Sequence, residues 1–318
     1  MNITSEPSAS VIVPSYQGAS RLPRLLGRLA RQTVSVERFE IIVVIDGHVD
    51  DSVDVVNMAA HGGLPVRAIV LDRNRGRVTA LNTGFEAANG DVLIRCDDDL
   101  APGPDFVESH IARHRSSDRL IGVVGLTRDI LAPSPYARVY GRRRSKAALT
   151  SSYHGDLPTW RHWAANCSVL RETWEEVGGY DISYRHYGWE DVDYGYRLHS
   201  AGFEVVIAPE LETPHYGAAT STLSRAMRAY HSGAARKTFS SLHPDTLPVL
   251  LPGNGPWGCL VGMTAHLGSE AHFQALATFT DRLLPMLPQR LGEKLVALSV
   301  ESAVLAGYEH AEAVSAQF

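Results

Sequence analysis

Cysteine is scarce: Cys96, Cys167 and Cys259 are the only three in 318 residues. Their number is odd, they lie far apart, and none forms a Cys-x-x-Cys pair. Neither a disulfide framework nor a zinc knuckle is therefore expected, and a reducing, cytoplasmic location is. No stretch reaches the roughly 18 uninterrupted apolar residues that a membrane-crossing helix needs. The opening MNITSEPSAS has neither a basic region nor an apolar run, so no signal peptide is expected. The two glycosylation sequons, at Asn2-Ile3-Thr4 and Asn166-Cys167-Ser168, are then chance matches. Basic surplus is missing as well. A net charge of -5 argues against nucleic acid as the main partner. There is no GxxxxGK[ST] loop and no GxGxxG after a strand, which removes support from ATPase and simple dinucleotide-binding readings.

What is present is ordinary globular composition, 44% hydrophobic and 20% charged, enough for a sizeable core. Over the first 130 residues strand and helix signals alternate. Residues 10–13, 40–45, 66–71, 91–96 and 121–126 read as strands. Residues 21–31, 52–60 and 78–88 read as helices, the first with an apolar stripe at Leu22, Leu25, Leu26 and Leu29. This rhythm predicts an α/β fold with a mostly parallel central sheet flanked by helices, whose ligands bind beyond the carboxyl ends of the strands. Residues 132–158, rich in Pro, Ser, Arg and Tyr, read as a long basic loop. A second patterned block covers residues 160–216, and helical spacing returns after about residue 221. Leu283, Leu284, Leu287 and Leu291 form a stripe there that suits a core or a homodimer seam.

Four polar clusters fall just past strand ends: Pro14-Ser15-Tyr16, Asp46, Arg73-Asn74 with Gly76, and Asp97-Asp98-Asp99. Three adjacent carboxylates repel one another unless a cation sits among them, and Mg²⁺ is typically held by one or two carboxylates plus substrate phosphates. A second acidic group, Trp189-Glu190-Asp191 followed by Asp193, opens a helix after Gly188. Acids favour a helix N-terminus, but three of them with a tryptophan exceed what capping requires, so a general base toward an acceptor hydroxyl is expected there. His215, after a strand-like run, is a candidate metal ligand.

Together these motifs resemble a family 2 glycosyltransferase with the GT-A fold. The matching pieces are VIVPSYQG at residues 11–18, the strand ending in Asp46, NRGRVTALNTG at 74–84, DDD at 97–99, GGYD at 178–181 and WEDVDYGYRL at 189–198. They keep the family's order over roughly residues 10–217. The resemblance implies a nucleotide-sugar donor, UDP-linked by preference, with Pro14, Ser15, Tyr16, Asp46, Arg73, Asn74, Gly76, Asn82, Asp97 and Asp98 around it. It implies Mn²⁺ or Mg²⁺ on Asp99, Asp97 and His215, and catalysis by Asp191 as base with Glu190 beside it, inverting the anomeric centre. Trp189 and Asn166 are assigned to the acceptor, a hydroxyl of a glycan, lipid or small molecule. Residues 1–130 would form the nucleotide-sugar half, 131–220 the acceptor and catalytic half, and 221–318 a helical extension carrying no familiar motif. A retaining transferase on the same fold and a sugar-phosphate nucleotidyltransferase are the alternatives. The latter usually wants a Gly- and Lys-rich loop where Pro14-Ser15-Tyr16-Gln17-Gly18 stands.

Overall fold

Short apolar strands stopped by polar residues build the first part of the chain. The computed structural model describes residues 9–315. The Asn2 sequon and most of the segment read for a signal peptide lie outside the described residues. The chain divides into two compact units. Among the described residues, the first comprises 9–128, 149–182 and 191–217; the second comprises 129–148, 183–190 and 218–315.

In the first unit, β1 (Ala9–Ser15), β2 (Phe39–Ile45), β3 (Val66–Val70) and β4 (Val92–Cys96) alternate with α1 (Leu22–Leu29), α2 (Ser52–His61) and α3 (Arg77–Glu86). After α4 (Phe106–Arg115) come β5 (Ile121–Val124) and the short β6 (Thr127–Asp129). Basic α5 (Arg142–His154) leads on to β7 (Asn166–Leu170), α6 (Arg171–Val177) and α7 (Trp189–Ser200). β8 (Glu204–Ile207) and β9 (Thr213–His215) close this part. Seven strands form one sheet in the order β3-β2-β1-β4-β7-β5-β8. β1 runs parallel to β2 and β4, β2 to β3, and β5 to β8; β7 alone is reversed, antiparallel to both β4 and β5. The predicted mostly parallel sheet is thus observed.

Alternation along β1 sends Val11 and Val13 to one face, where they pack with Leu22, Leu25, Leu26 and Leu29 of α1, and with Phe106, Val107 and Ile111 of α4. Ile12 is also fully buried. Helix α3 lies over β1 and β2. Both β1 and β2 are almost wholly inside, which is why they read as unbroken apolar runs rather than alternating ones.

The loop expected over residues 132–158 is largely helical. A π-helical turn, Ala137–Gly141, runs directly into α5. None of the thirteen α5 residues is buried, so no apolar stripe marked the helix. Of the prolines that suggested a loop, Pro133 stands before the helical segment and Pro135 opens its first turn, where a missing N–H costs no helical bond; Arg, Lys, Ala and Leu after them are good helix formers.

The second unit is built around α8 (Thr222–Leu242) and α11 (Gln289–Glu309), each of 21 residues, with α9 (Gly255–Leu267) and α10 (Glu270–Leu283) packed against them. Ala226, Ala234, Ala303 and Ala306 line the seam. A Cβ on Gly233 would lie 2.1 Å from the Val304 carbonyl oxygen, so small side chains let the two backbones approach. Gly233→Val is expected to destabilise this unit by about 1–3 kcal/mol through overpacking. Denaturant unfolding checks this; an unchanged midpoint would refute the close-packing account. Ser221 caps α8 by accepting from Ser224 N at 3.0 Å, and Asp281 accepts from Thr222 N and Leu223 N at 2.8 and 3.1 Å. Of the leucine stripe, Leu284 is fully buried against Val139, Tyr136 and Val296, whereas Leu291 is half exposed. No helix among the described residues is long and apolar enough to cross a membrane.

Candidate active site

At the end of β1, Ser15 donates its hydroxyl to Asp98 Oδ2 at 2.6 Å. The Arg21 guanidinium binds both oxygens of the same carboxylate, at 2.8 and 2.9 Å, and also the Tyr16 carbonyl. Burial pushes Asp98 above its ordinary value against the pull of Arg21 and Ser15. Asp98 and Ser15, expected against the nucleotide, therefore spend these bonds on each other and on α1. They tie the β1 end to the acidic strand end. Pro14 is buried within β1, while Tyr16 stays 40% exposed just past it.

Asp46 plays a similar part at the end of β2. Its Oδ1 accepts from Arg75 N at 2.6 Å and its Oδ2 from Gly76 N at 2.8 Å. Gly76 has φ of +90°, a conformation that glycine alone adopts without strain, and it leads directly into α3. Asn74 Oδ1 also accepts from Gly76 N, at 3.1 Å, and Arg73 is exposed. Asp46 is 4% exposed, and burial raises it despite these backbone donors. The carboxylate expected to meet the base thus shapes the loop that carries Arg73, Asn74 and Gly76.

The third acid of the triplet behaves differently. Asp99 Oδ2 lies 3.4 Å from His215 Nε2. The two segments are sewn together by backbone bonds, Ala101 N to the Pro214 oxygen at 3.0 Å and Tyr216 N to the Asp99 oxygen at 2.9 Å. Burial pushes Asp99 up, but His215, Arg77 and Arg21 outweigh it and hold the carboxyl below its ordinary value. Its Oδ1 is buried without a hydrogen-bond partner. A Cβ on Gly217 would sit 1.7 Å from Asp99 Oδ2 and 2.8 Å from His215 Nε2, so glycine keeps the space beside the pair open. An ionised carboxylate with an orphaned oxygen, an imidazole nitrogen and a vacant Cβ position would suit a divalent cation. Among the described residues, no group of three or more Asp, Glu, His or Cys side chains gathers as a complete protein cage.

Asp97, expected as a further metal ligand, is engaged elsewhere. Arg95 Nε binds its Oδ1 at 2.7 Å and Arg95 Nη2 its Oδ2 at 3.1 Å. The remaining Arg95 nitrogen, Nη1, binds Asp191 Oδ1. Arg95 is fully buried within β4, and its charged form is strongly favoured because Asp191 and Asp97 outweigh desolvation. Sequence reading missed this residue, although an arginine inside an apolar strand was a usable signal. Asp191 is raised by burial against the pull of Arg95 and Arg77. Arg77, at the start of α3, thus acts on both Asp99 and Asp191.

Two assigned residues have their amide groups engaged by the protein itself. Asn82 pairs with the backbone of Tyr180, accepting from its N at 2.8 Å and donating to its oxygen at 2.9 Å. It pins α3 to the Gly-Gly-Tyr-Asp turn. Asn166 is 1% exposed; its amide donates to the Leu211 carbonyl oxygen at 2.8 Å and to Thr213 Oγ1 at 3.2 Å. Its carbonyl meets His110 Nε2 at 3.1 Å. It cannot reach an acceptor, and burial also removes it as a glycosylation site. Trp189 and Glu190 belong to the second unit. There the indole donates to Ser232 Oγ at 3.1 Å and packs on Phe239, and Glu190 Oε2 accepts from Gly188 N at 2.9 Å.

The Asn166 network has a measurable consequence. Ser168 Oγ bridges His110 Nδ1 and His114 Nε2, each at 2.8 Å. Burial lowers His110 to about 3 and His114 to about 4. Both folded values lie below the unfolded one, so the unfolded chain takes up protons first. Stability is then full above pH 6.5 and falls as the pH drops toward 4, by roughly 1.4 kcal/mol per pH unit for each ring. Denaturant melts at pH 7 and pH 5 should show this, with a shallower dependence in His110→Gln. Equal slopes in the two proteins would overturn it.

The sequence model of glycosyl transferase family 2 matches residues 10–174. The chain belongs to glycosyl transferase family 2. Residues 144–220 of this family 2 chain also match the N-terminal domain of galactosyltransferase. A validoxylamine A glucosyltransferase from Streptomyces hygroscopicus subsp. jinggangensis is 28% identical over 274 residues, covering 77% of this chain and 63% of that protein. An undecaprenyl-phosphate 4-deoxy-4-formamido-L-arabinose transferase from Pseudomonas savastanoi pv. phaseolicola is 33% identical over 147 residues, 44% of each. The chain spans about three-fifths of the length of the validoxylamine A glucosyltransferases it matches. Among solved structures, the mannosyltransferase PcManGT from Pyrobaculum calidifontis, in complex with GDP-Man and Mn²⁺, superposes with a TM-score of 0.64 at 20% identity. That match covers 96% of this chain and 89% of the other. S. aureus TarS 1-349 in complex with UDP-GlcNAc gives 0.54 at 14% identity, with 92% and 90% covered. These likenesses establish the GT-A fold of this family 2 chain.

Proposed function

We propose that this protein is a metal-dependent glycosyltransferase that moves a sugar from a nucleoside-diphosphate sugar, UDP-linked by preference, to an acceptor hydroxyl with inversion. The observation that carries the reading is the pair of Asp99 and His215, with an orphaned carboxylate oxygen and the room left by Gly217. Asp99 and His215 would hold a Mn²⁺ or Mg²⁺ ion, which when bound supplies Lewis acidity against the charge of the departing diphosphate. The solved neighbours named with GDP-Man and Mn²⁺ or with UDP-GlcNAc support a donor and cation of this kind. Tyr16, Arg73, Asn74 and Gly76 would border the nucleotide, with Asp46, Asp98 and Ser15 holding their loops in place.

Asp191 takes the proton from the acceptor hydroxyl as that oxygen bonds the anomeric carbon and the diphosphate leaves with the bonding pair. Residues 1–130 would serve the donor, 131–220 the acceptor, and 221–318 a helical extension that offers a homodimer seam. A small-molecule acceptor is the class we propose, supported by the relatives named validoxylamine A glucosyltransferase. The test is a thermal-shift panel of UDP-, GDP- and dTDP-sugars with and without Mn²⁺ or Mg²⁺, followed by NMR of the product anomer. A cation-dependent shift with one donor class and an inverted product are expected. Absence of any shift would reject the donor reading, and a retained configuration the inverting one.

A further inference from the structure

Arg95 is out of place by the ordinary logic of strands. It stands in the middle of the sheet, beside Ile12 of β1 on one side and Cys167 of β7 on the other. Its side chain is fully buried, and the ring of Tyr180 lies 5.8 Å from its guanidinium carbon. Tyr180 is itself fixed, accepting from Trp163 Nε1 at 3.0 Å and stacking on Tyr194 at 4.5 Å. Buried ion pairs are poor stabilisers, since apolar residues of similar volume often serve as well or better. What a buried arginine does supply is direction. Its planar fork binds one carboxylate with two parallel bonds, and the remaining nitrogen then points along a set line.

Here the two parallel bonds go to Asp97, two residues along at the strand end, and the third goes to Asp191 at the start of α7. The two carboxylates are 94 positions apart in sequence, and Arg95 is the one side chain described as bonding both. Resting on the reading of Asp191 as base, we infer that Arg95 is a positioning residue, which clamps the Asp191 carboxylate to the Asp97 strand end. With Oδ1 held by Arg95, Oδ2 is the oxygen that receives the acceptor proton. An apolar residue in β4 would keep the sheet but leave the base without a fixed orientation.

The test compares Arg95→Lys, Asp191→Glu, Asp191→Asn and the double variant Arg95→Lys/Asp191→Asn, each for donor affinity by calorimetry, cooperative melting and kcat for transfer. Lysine keeps the charge and loses the fork. Misplacement of a reacting group by about 1 Å can cost on the order of 10²-fold. Arg95→Lys is therefore expected to lose about 100-fold in kcat while donor affinity stays within about threefold. The double variant should lose no more than Asp191→Asn alone, because placement is irrelevant once the base is gone. A purely structural role predicts the opposite: lowered melting and donor affinity with kcat kept, or losses that multiply in the double variant. Either result overturns the inference. Asp191→Glu leaves Arg95 untouched and keeps the test alive if Arg95→Lys does not fold; it should also lose about 100-fold, and near-normal turnover would sink the clamp. If Asp191→Asn itself turns over normally, the base reading falls and this inference with it. Loss in Asp191→Asn with normal kcat in Arg95→Lys removes the clamp alone.

Discussion

Asp191→Asn is expected to cut transfer by about 10²–10⁴-fold, the usual worth of a general base, while donor binding is largely kept. That range corresponds to roughly 3–5 kcal/mol of transition-state stabilisation. Asparagine preserves the size of the side chain and can still accept from Arg95, but it cannot take a proton. The loss should fall on kcat, with donor affinity measured by calorimetry little changed. The pH profile carries a second check. Burial raises Asp191 above its ordinary 3.8 against the pull of Arg95 and Arg77. The base works when ionised, so activity is present above its folded value and is lost as pH falls through it. The acid limb of kcat should accordingly lie above pH 3.8 in the natural protein and vanish from the residual activity of Asp191→Asn. Near-normal turnover in that variant would sink the assignment.

Asp99→Ala should abolish cation-dependent nucleotide binding. The same outcome is expected from Gly217→Ala, a change that removes no ligand at all. Its added Cβ would lie within 1.7 Å of Asp99 Oδ2 and 2.8 Å of His215 Nε2, filling the space beside the pair. Calorimetric titration of the nucleotide with and without Mn²⁺ checks both variants. Natural protein should bind more tightly with the ion, whereas the two variants should show no ion dependence and whatever weak affinity the nucleotide-bordering loops provide. Unchanged ion-dependent affinity in either variant would count against the site. Asp98→Ala forms an instructive contrast. Its carboxylate holds Ser15 and Arg21, so its loss should lower stability and loosen the β1 end while ion dependence persists.

Much of this was legible from residue order. Short apolar runs ended by Pro14, Asp46 and the acidic triplet marked a parallel sheet with its polar ends together, because a strand buried on both faces has few other residues it can use. The helical stripe at Leu22, Leu25, Leu26 and Leu29 placed α1 within a residue or two. Helix α5 was not legible, since a helix that buries nothing leaves no periodic trace.

Chemistry was legible as residue types but not as partners. Residue order was enough for the α/β architecture, the acidic strand end and the acidic helix start, because burial and strand termination act on neighbours in the chain. The partners of each acid came from the folded chain. Asp46 and Asp98 hold loops, Asp97 is bound by Arg95, and Asp99 alone of the triplet meets His215, 116 positions away. The fold likewise buried Asn166, bonded Asn82 to the Tyr180 backbone and brought Arg95 to Asp191. A hydrogen bond or ion pair depends on which side chains the fold carries within about 3 Å of each other, and adjacency in sequence does not specify that.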